Sequence, residues 1–220
     1  MVPHVPESEE AVGRVEGYFT EKDRDQYYMH VHRRKEGSKW EPSWKGVRVV
    51  KFPSDLALYW EVIFKLRPDY IIEAGTCFGG SSLFFADILL LAGGKRVFSI
   101  DVEHREDLPE HHMLEYVTGS SIDPDLVRGI RKKINGTVMV VLDSDHRKNH
   151  VAAELEMFKD VVSVNQYMVV EDCWTKHSKP YPPYYAVQEF LAKDDRFKRV
   201  DIERKFVFAV TRDGWLRKMK

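Results

Sequence analysis

Residues 70–82 read YIIEAGTCFGGSS, an apolar run that ends in an acid and a glycine and continues into a glycine–serine turn. The run has the length of one buried strand, and the turn at Gly79 and Gly80 predicts a helix that ends at Gly93. Glycines after a strand allow close approach of the backbone to a ligand, and the free N–H groups of a first helical turn bind anions. The segment therefore predicts an α/β domain with a ligand site where this strand ends.

Strands and helices alternate on both sides of this segment. Upstream, we predict a helix from a Ser54 or Asp55 cap to Arg67, because Pro68 disfavours helical geometry in the residue before it. Downstream, we predict strands at 96–102, 114–118, 137–142, 167–170, 197–202 and 205–211, and helices at 123–134, 148–162 and 184–193. This alternation predicts a mostly parallel sheet with helices on both faces. The last two strands have only a short link, so we expect that terminal pair to be antiparallel.

Composition limits the kind of partner. The chain has 220 residues, which we divide into an N-terminal cap segment, 1–50, and a main domain, 51–220. A net charge of −1 offers no bulk attraction for nucleic acid or an anionic membrane. We find no signal-peptide layout, no apolar run long enough to span a bilayer, and no metal-finger spacing of Cys77 and Cys173. We expect a cytoplasmic protein that acts on a small molecule.

A nucleoside-containing cofactor is predicted from the glycine turn together with Asp101. This acid ends the next predicted strand, where its carboxylate suits the two hydroxyls of a ribose. NAD is the rival ligand, but the glycines at positions 75 and 79 are four apart and do not form G-x-G-x-x-G.

Two later strands each end in carboxylates. Residues 142–146 read LDSDH, and residues 169–172 read VVED. If these strands are neighbours, their acids meet at one edge of the sheet and repel one another unless a cation lies between them. Oxygen ligands suit Mg²⁺, with Mn²⁺ or Ca²⁺ as alternatives. The pattern predicts a divalent metal site.

In combination, these motifs resemble the cephalosporin hydroxylase/rhamnosyl O-methyltransferase family, which is more distantly similar to the catechol and caffeoyl-CoA O-methyltransferases. The resemblance covers roughly residues 51–220 and rests on EAG at 73–75, GGSS at 79–82, GSSID at 119–123, LDSDH at 142–146 and VED at 170–172. It implies a Rossmann-like class I methyltransferase fold and a metal-dependent O-methyltransferase. Such an enzyme moves a methyl group from S-adenosylmethionine to a hydroxyl of a sugar, natural product, vicinal diol or catechol. It also implies a homo-oligomer.

The resemblance also implies roles for individual residues. The methionine end of S-adenosylmethionine is expected against Glu73, Gly75, Thr76, Gly79, Gly80, Ser81 and Ser82. The ribose is expected at Asp101, and the adenine near Ser120 and Ser121. The implied ligands of Mg²⁺ or Mn²⁺ are Asp143, Glu171 and Asp172, and the implied catalytic pair is Asp143 with His146 as general base. Imidazole suits this last role because its pKa lies near neutrality.

Alternatives stay open at this point. The chain fits, less well, an NAD(P)-linked oxidoreductase or a catalytically inactive nucleoside-binding protein on the same fold. His150 competes with His146 as the base, and His146 has the alternative role of capping the helix that starts near Lys148.

Overall fold

The computed structural model describes residues 42–173, 183–202, 206 and 209–220, so most of the predicted N-terminal cap segment lies outside the described residues. A hairpin of β1 (Ser43–Trp44) and β2 (Val47–Arg48) comes first. In chain order the elements that follow are α1 (Pro53–Leu66), β3 (Tyr70–Ala74), α2 (Gly80–Ala92), β4 (Arg96–Asp101), β5 (Leu114–Thr118), α3 (Pro124–Arg131), β6 (Val138–Leu142), α4 (Lys148–Phe158), β7 (Tyr167–Val170), α5 (Pro183–Lys193), β8 (Phe197–Arg199) and β9 (Trp215–Lys218). Among these helices, none is long and apolar enough to cross a membrane.

Strands β3 to β9 form one sheet in the order β5-β4-β3-β6-β7-β9-β8. Strands β3 to β7 are parallel, whereas β9 is antiparallel to both of its neighbours, β7 and β8. The strand order reverses at β3, which lies between β4 and β6. Ligands of open α/β sheets bind at such a switch, beyond the carboxyl ends of the strands. The predicted fold class, a mostly parallel sheet with a terminal antiparallel strand, is confirmed.

Both faces of the sheet are covered. In β6, Val140 points toward the face packed against α3, α4 and α5, while Met139 and Val141 point toward the face packed against α1 and α2. All three side chains are fully buried. A strand buried on both faces is apolar at every position, and each such side chain contributes about 1.5–3 kcal/mol. The loops at the strand ends are therefore anchored to a sheet that is tightly packed on both faces.

The helix predicted from Pro53 is present, but its predicted side-chain cap is wrong. Its N-cap is Phe52, and no side chain caps the helix. Asp55 is buried and instead accepts hydrogen bonds from the backbone N–H of Val210 (3.0 Å) and from the backbone N–H (3.2 Å) and hydroxyl (2.6 Å) of Thr211. The carboxylate that looked like a local cap therefore holds the chain just before β9.

The predicted strand at 205–211 is wrong in its described part. Residue 206 is in a bend, residue 209 is irregular and residues 210–211 form a turn, whereas residues 205, 207 and 208 lie outside the described residues. The strand antiparallel to β8 is Trp215–Lys218, in which Trp215 and Leu216 are fully buried. Its Lys218 Nζ donates to the carbonyls of Lys159 (2.8 Å) and Val162 (2.9 Å). A lysine bonded in this way is compatible with a buried strand, although no strand was predicted at residues 215–218.

Two predicted helices end earlier than expected. The helix predicted at 123–134 ends at Arg131, and the one predicted at 148–162 ends at Phe158. In both cases the following residues make tighter turns, as in the hydrogen bonds from Lys133 N to Ile130 O and from Val161 N to Phe158 O. Helices commonly close with such a turn.

Candidate active site

A cleft of about 640 Å³ opens at the carboxyl edge of the sheet, where the loops after β3 to β7 converge. Most of the predicted site residues line it: Gly75, Thr76, Gly80, Ser81, Asp101, Ser120, Ser121, Asp143, His146 and Asp172. The other predicted site residues do not line it: Glu73, Gly79, Ser82 and Glu171. Residues that are far apart in the sequence are therefore gathered around one cleft.

Two glycines of the 75–80 loop allow close backbone packing. Gly75 has φ +99°, and a Cβ at this position would lie 2.0 Å from the carbonyl oxygen of Asp143. A Cβ on Gly80 would lie 2.0 Å from the carbonyl oxygen of Arg48 in β2. Any larger residue at either position would push these backbones apart. The loop after β3 is therefore fitted between the hairpin and the loop after β6.

Asp101 shapes the same loop. Its Oδ2 accepts hydrogen bonds from the backbone N–H of Thr76 (2.9 Å) and Cys77 (3.1 Å), and its Oδ1 accepts one from Glu103 N–H (3.0 Å). Each carboxylate oxygen has two acceptor directions, so these bonds leave capacity for a ligand hydroxyl. Asp101 therefore organises the glycine loop from a position on the cleft wall.

Glu73 lies beneath the loop rather than in the cleft. It is fully buried, and its Oε2 accepts hydrogen bonds from the hydroxyls of Ser82 and Ser99. Ser99 Oγ is also 2.7 Å from Thr76 Oγ1. Burial raises the pKa of Glu73. This network supports the floor of the cleft, which explains why Glu73 and Ser82 are absent from its surface.

Asp143, His146 and Asp172 meet at one end of the cleft. His146 Nε2 lies 3.2 Å from Asp143 Oδ1, and His146 Nδ1 lies 3.1 Å from Asp172 Oδ2. Asp172 adopts a left-handed backbone conformation with φ +54°, which is uncommon for a residue other than glycine. One ligand atom from each of the three residues lies within 4.8 Å of the other two, a spacing that fits a single metal ion.

Glu171 is not part of this trio, although it precedes Asp172 in the chain. Its Oε1 accepts hydrogen bonds from Tyr59 OH (2.6 Å) and Lys51 Nζ (2.8 Å). The same Lys51 ammonium donates to Asp143 Oδ2 at 2.7 Å. The Lys51 side chain is only 2% exposed, so this ammonium is a buried cation between two predicted metal ligands. Sequence reasoning overlooked the part that Lys51 and Tyr59 play here.

The charges at this end of the cleft perturb one another. Burial and the neighbouring charge of Asp143 raise the pKa of Glu171, while the Lys51 ammonium holds the pKa of Asp143 below its usual value despite burial. Burial disfavours the charged form of Lys51, yet the two carboxylates raise its pKa above the ordinary lysine value. The two carboxylates therefore favour the charged form of Lys51, which balances part of the charge of Asp143 and Glu171.

We expect Lys51→Met to destabilise the metal-free protein. Methionine has a similar length but leaves Asp143 and Glu171 facing each other without a cation. Breaking a buried ion pair usually costs about 3–5 kcal/mol, so the free energy of unfolding should fall by roughly that amount. Urea unfolding in the presence of a chelator measures it.

Lys45→Met is the matched control, because Lys45 pairs with Asp87 at 2.7 Å but its side chain is 60% exposed. An exposed ion pair contributes about 0–1 kcal/mol, so this control should remain close to the wild-type stability. Equal losses in the two variants would contradict a special stabilising role of Lys51.

Comparison with known proteins identifies the family. The rhamnosyl O-methyltransferase/CmcI family model matches residues 38–219. A rhamnosyl O-methyltransferase of Mycobacterium leprae (strain TN) is 30% identical over 187 residues, which are 79% of this chain and 82% of that protein.

Solved structures share the fold. An apo structure of CmcI matches with a TM-score of 0.68 at 20% identity and covers 88% of this chain and 84% of that one. A CmcI structure with Mg and SAM matches with a TM-score of 0.65 at 18% identity, over the same shares. At this identity the likeness establishes the fold. The family model and the relative from M. leprae both match most of the chain. They show that the chain belongs to the rhamnosyl O-methyltransferase/CmcI family of S-adenosylmethionine-dependent methyltransferases, as its motifs predicted.

Proposed function

We propose that this chain is a metal-dependent O-methyltransferase that transfers the methyl group of S-adenosylmethionine to a hydroxyl of a sugar or a related natural product. The single observation that carries this proposal is the acid cluster, Asp143 and Asp172 around His146, at one end of a cleft that begins at the glycine turn. Family membership supports the activity, and the relative from M. leprae is named for methylation of a rhamnosyl group. The cleft volume lies in the usual range for small-molecule sites.

The proposed cofactor position follows the order of the strand ends. The loop after β3, with Gly75, Gly80 and the residues around them, takes the methionine end. Asp101 after β4 takes the ribose, and Ser120 and Ser121 after β5 take the adenine. These loops adjoin one another because β3, β4 and β5 are adjacent strands. An extended nucleoside cofactor would thus cross the switch point of the sheet.

The donor set fits a divalent ion. Asp143 and Asp172 offer carboxylate oxygens at the cleft surface, and the proposed third ligand, Glu171, lies behind them with its Oε1 held by Lys51 and Tyr59. Hard cations such as Mg²⁺ prefer oxygen ligands, and CmcI has been solved with Mg and SAM. When bound, such an ion makes a nearby hydroxyl more acidic and holds it in place.

The chemical step places two demands on the residues of this chain. The acceptor oxygen attacks the methyl carbon in line with the carbon–sulfur bond, which breaks to release S-adenosylhomocysteine, and the hydroxyl proton must leave. The cleft aligns the two reactants, which supplies several kcal/mol. Each ring nitrogen of His146 lies next to one carboxylate. With a cation holding that carboxylate, the released nitrogen would take the proton from the acceptor hydroxyl.

Calorimetric titration tests the cofactor directly. S-adenosylmethionine and S-adenosylhomocysteine should bind, and NAD should not, because the glycine turn lacks the dinucleotide spacing. Turnover of a glycoside with a vicinal diol, measured in the presence of Mg²⁺, then distinguishes an enzyme from an inactive binding protein. Binding of NAD alone would overturn the proposal in favour of an oxidoreductase.

We expect Asp101→Ala to weaken S-adenosylmethionine binding by about 1–3 kcal/mol, the cost of losing hydrogen bonds to a charged group. The variant removes the ribose acceptor and frees the backbone N–H groups of Thr76 and Cys77. Asp107→Ala is the matched control, because Asp107 is exposed and pairs with Arg105 in the loop that follows β4. Equal affinities for the two variants in a calorimetric titration would refute the role of Asp101.

Two further proposals concern the cellular location and the oligomeric state of the protein. We place the protein in the cytoplasm, because Cys77 and Cys173 are both free thiols, as is usual in a reducing compartment. We also propose a homo-oligomer, on the family resemblance alone. Light scattering of the purified full-length chain tests the second point, since a monomer at micromolar concentration would contradict it.

A further inference from the structure

A buried carboxylate joins two of the loops that line the cleft. Glu154 lies on α4 and is only 1% exposed. Its Oε1 accepts hydrogen bonds from the hydroxyls of Ser121 and Ser144, each at 2.6 Å. A carboxylate only accepts, so both serine protons point toward Glu154.

His150 completes this arrangement, one turn earlier on α4. Its Nε2 lies 3.3 Å from Ser121 Oγ, 3.2 Å from Ser144 Oγ and 3.6 Å from Glu154 Oε1. Because the serine protons are given to Glu154, each serine oxygen has lone pairs left for His150. The Nε2 nitrogen therefore carries a proton. We name these four residues, Ser121, Ser144, His150 and Glu154, the Glu154 cluster.

The two serines belong to strands that are not neighbours. Ser121 follows β5 and Ser144 follows β6, and β4 and β3 lie between those strands in the sheet. Ser121, Ser144 and His150 line the cleft, whereas Glu154 lies behind them. The Glu154 cluster therefore ties together two separate loops on the cleft wall.

The position of Glu154 on α4 is one that packing alone would give to an apolar residue. Val151, Leu155 and Phe158 are the other buried residues of this helix, at the spacing of its core-facing side. Burying a carboxylate among them costs free energy, which only its charged hydrogen bonds offset. Among the described residues, its hydrogen bonds go to Ser121 and Ser144, which both line the cleft.

We propose, on the basis of the function proposed above, that Glu154 is a positioning residue for the nucleoside end of S-adenosylmethionine. By holding Ser121, Ser144 and His150, it fixes the spacing between the loop after β5 and the loop after β6. The cofactor then binds to a wall that is already ordered, so less binding free energy is lost in ordering loops. The role concerns cofactor affinity and not the transfer of the methyl group.

Glu154→Leu tests this proposal, because leucine fills the apolar side of α4 and removes both acceptor oxygens. The dissociation constant and KM for S-adenosylmethionine should rise about 10- to 100-fold. At saturating cofactor, kcat should stay within about threefold of the wild-type value. Glu154→Gln, which keeps an acceptor oxygen, should restore most of the affinity.

A second variant removes the serine hydroxyls of the Glu154 cluster instead of its carboxylate. The double variant S121A/S144A removes only the two hydroxyls, and it should weaken cofactor binding to a similar extent. Adding Glu154→Leu to it should change the affinity little further, because the three residues act through shared contacts. Because Ser121 is itself a proposed adenine contact, the single variant S144A separates the two roles, and its weaker cofactor binding decides the question if Glu154→Leu fails to fold.

Glu156→Leu is the matched control, since Glu156 is exposed on the same helix and pairs with Lys159. Wild-type affinity in a folded Glu154→Leu or S121A/S144A protein would overturn the proposal. So would a fall in kcat with an unchanged KM for the cofactor. Absence of S-adenosylmethionine binding by the wild-type protein is a different result, because it overturns the proposed function and this inference with it.

Discussion

Asp143→Asn should abolish methyl transfer while the protein still folds and still binds S-adenosylmethionine. Asp143 is the residue at which three features of the site meet: it would provide an oxygen ligand to the proposed metal, it contacts His146, and it pairs with Lys51. Asparagine keeps the shape and loses the charge that attracts a cation. Since metal catalysis supplies several kcal/mol, we expect kcat to fall by about 10³-fold or more.

Single-turnover kinetics with bound S-adenosylmethionine measure this loss, and a titration with Mn²⁺ measures the accompanying loss of metal affinity. Asp145→Asn is the matched control, because Asp145 lies in the same loop and is paired with Arg147. It should retain most of the wild-type rate. Full activity of Asp143→Asn, or of the wild-type protein after exhaustive chelation, would contradict a catalytic metal. Unfolding on chelation would make the ion structural.

The general architecture was predictable because parallel strands buried on both faces leave continuous apolar runs. The runs at β3 and β6 were found in this way, and the polar residues that follow them form the cleft. The terminal strand β9 was missed because the last strand was predicted at 205–211, and the sequence does not show the carbonyl partners that let Lys218 lie in a buried strand. Hydrophobic periodicity indicates which face of a helix or strand a residue occupies, but it does not reveal hydrogen-bond partners that are distant in the sequence.

Which acids reach the surface of the cleft was not predictable either, because their burial depends on partners that are distant in the sequence. Glu171 and Asp172 are adjacent in the sequence, yet the first lies behind the cleft with Lys51 and Tyr59, and the second faces His146. The left-handed backbone at Asp172 helps to separate them. No local pattern of residues specifies that turn.

One overlooked residue did carry a signal. A helix with apolar residues at positions 151, 155 and 158 places residue 154 on the same buried face. An acid on such a face needs polar partners elsewhere in the fold. Glu154 was therefore detectable as a residue with a special role, although only the structure identifies Ser121 and Ser144 as its partners.

The remaining large effect is expected at His146, which we propose as the base that deprotonates the acceptor. His146→Ala should lower kcat by about 10²–10⁴-fold at neutral pH, while the affinities for metal and cofactor stay nearly unchanged. The competing base, His150, is held in the Glu154 cluster by Ser121, Ser144 and Glu154. His112→Ala is the matched control, because His112 is exposed and does not line the cleft.

The pH dependence gives this prediction a second readout. Burial favours neutral His146, but the hydrogen bond to Asp143 and the charge of Asp172 raise its pKa to about 9 in the metal-free protein. It is therefore protonated, and unable to accept a proton, at neutral pH until a cation offsets the charges of those acids. A base acts only when deprotonated, so kcat of the metal-loaded enzyme should rise with pH through the pKa of His146. His146→Ala should lack that rise and recover only at high pH, where hydroxide deprotonates the acceptor. A wild-type kcat for this variant at neutral pH, with methyl transfer rate-limiting, would rule out His146 as the base.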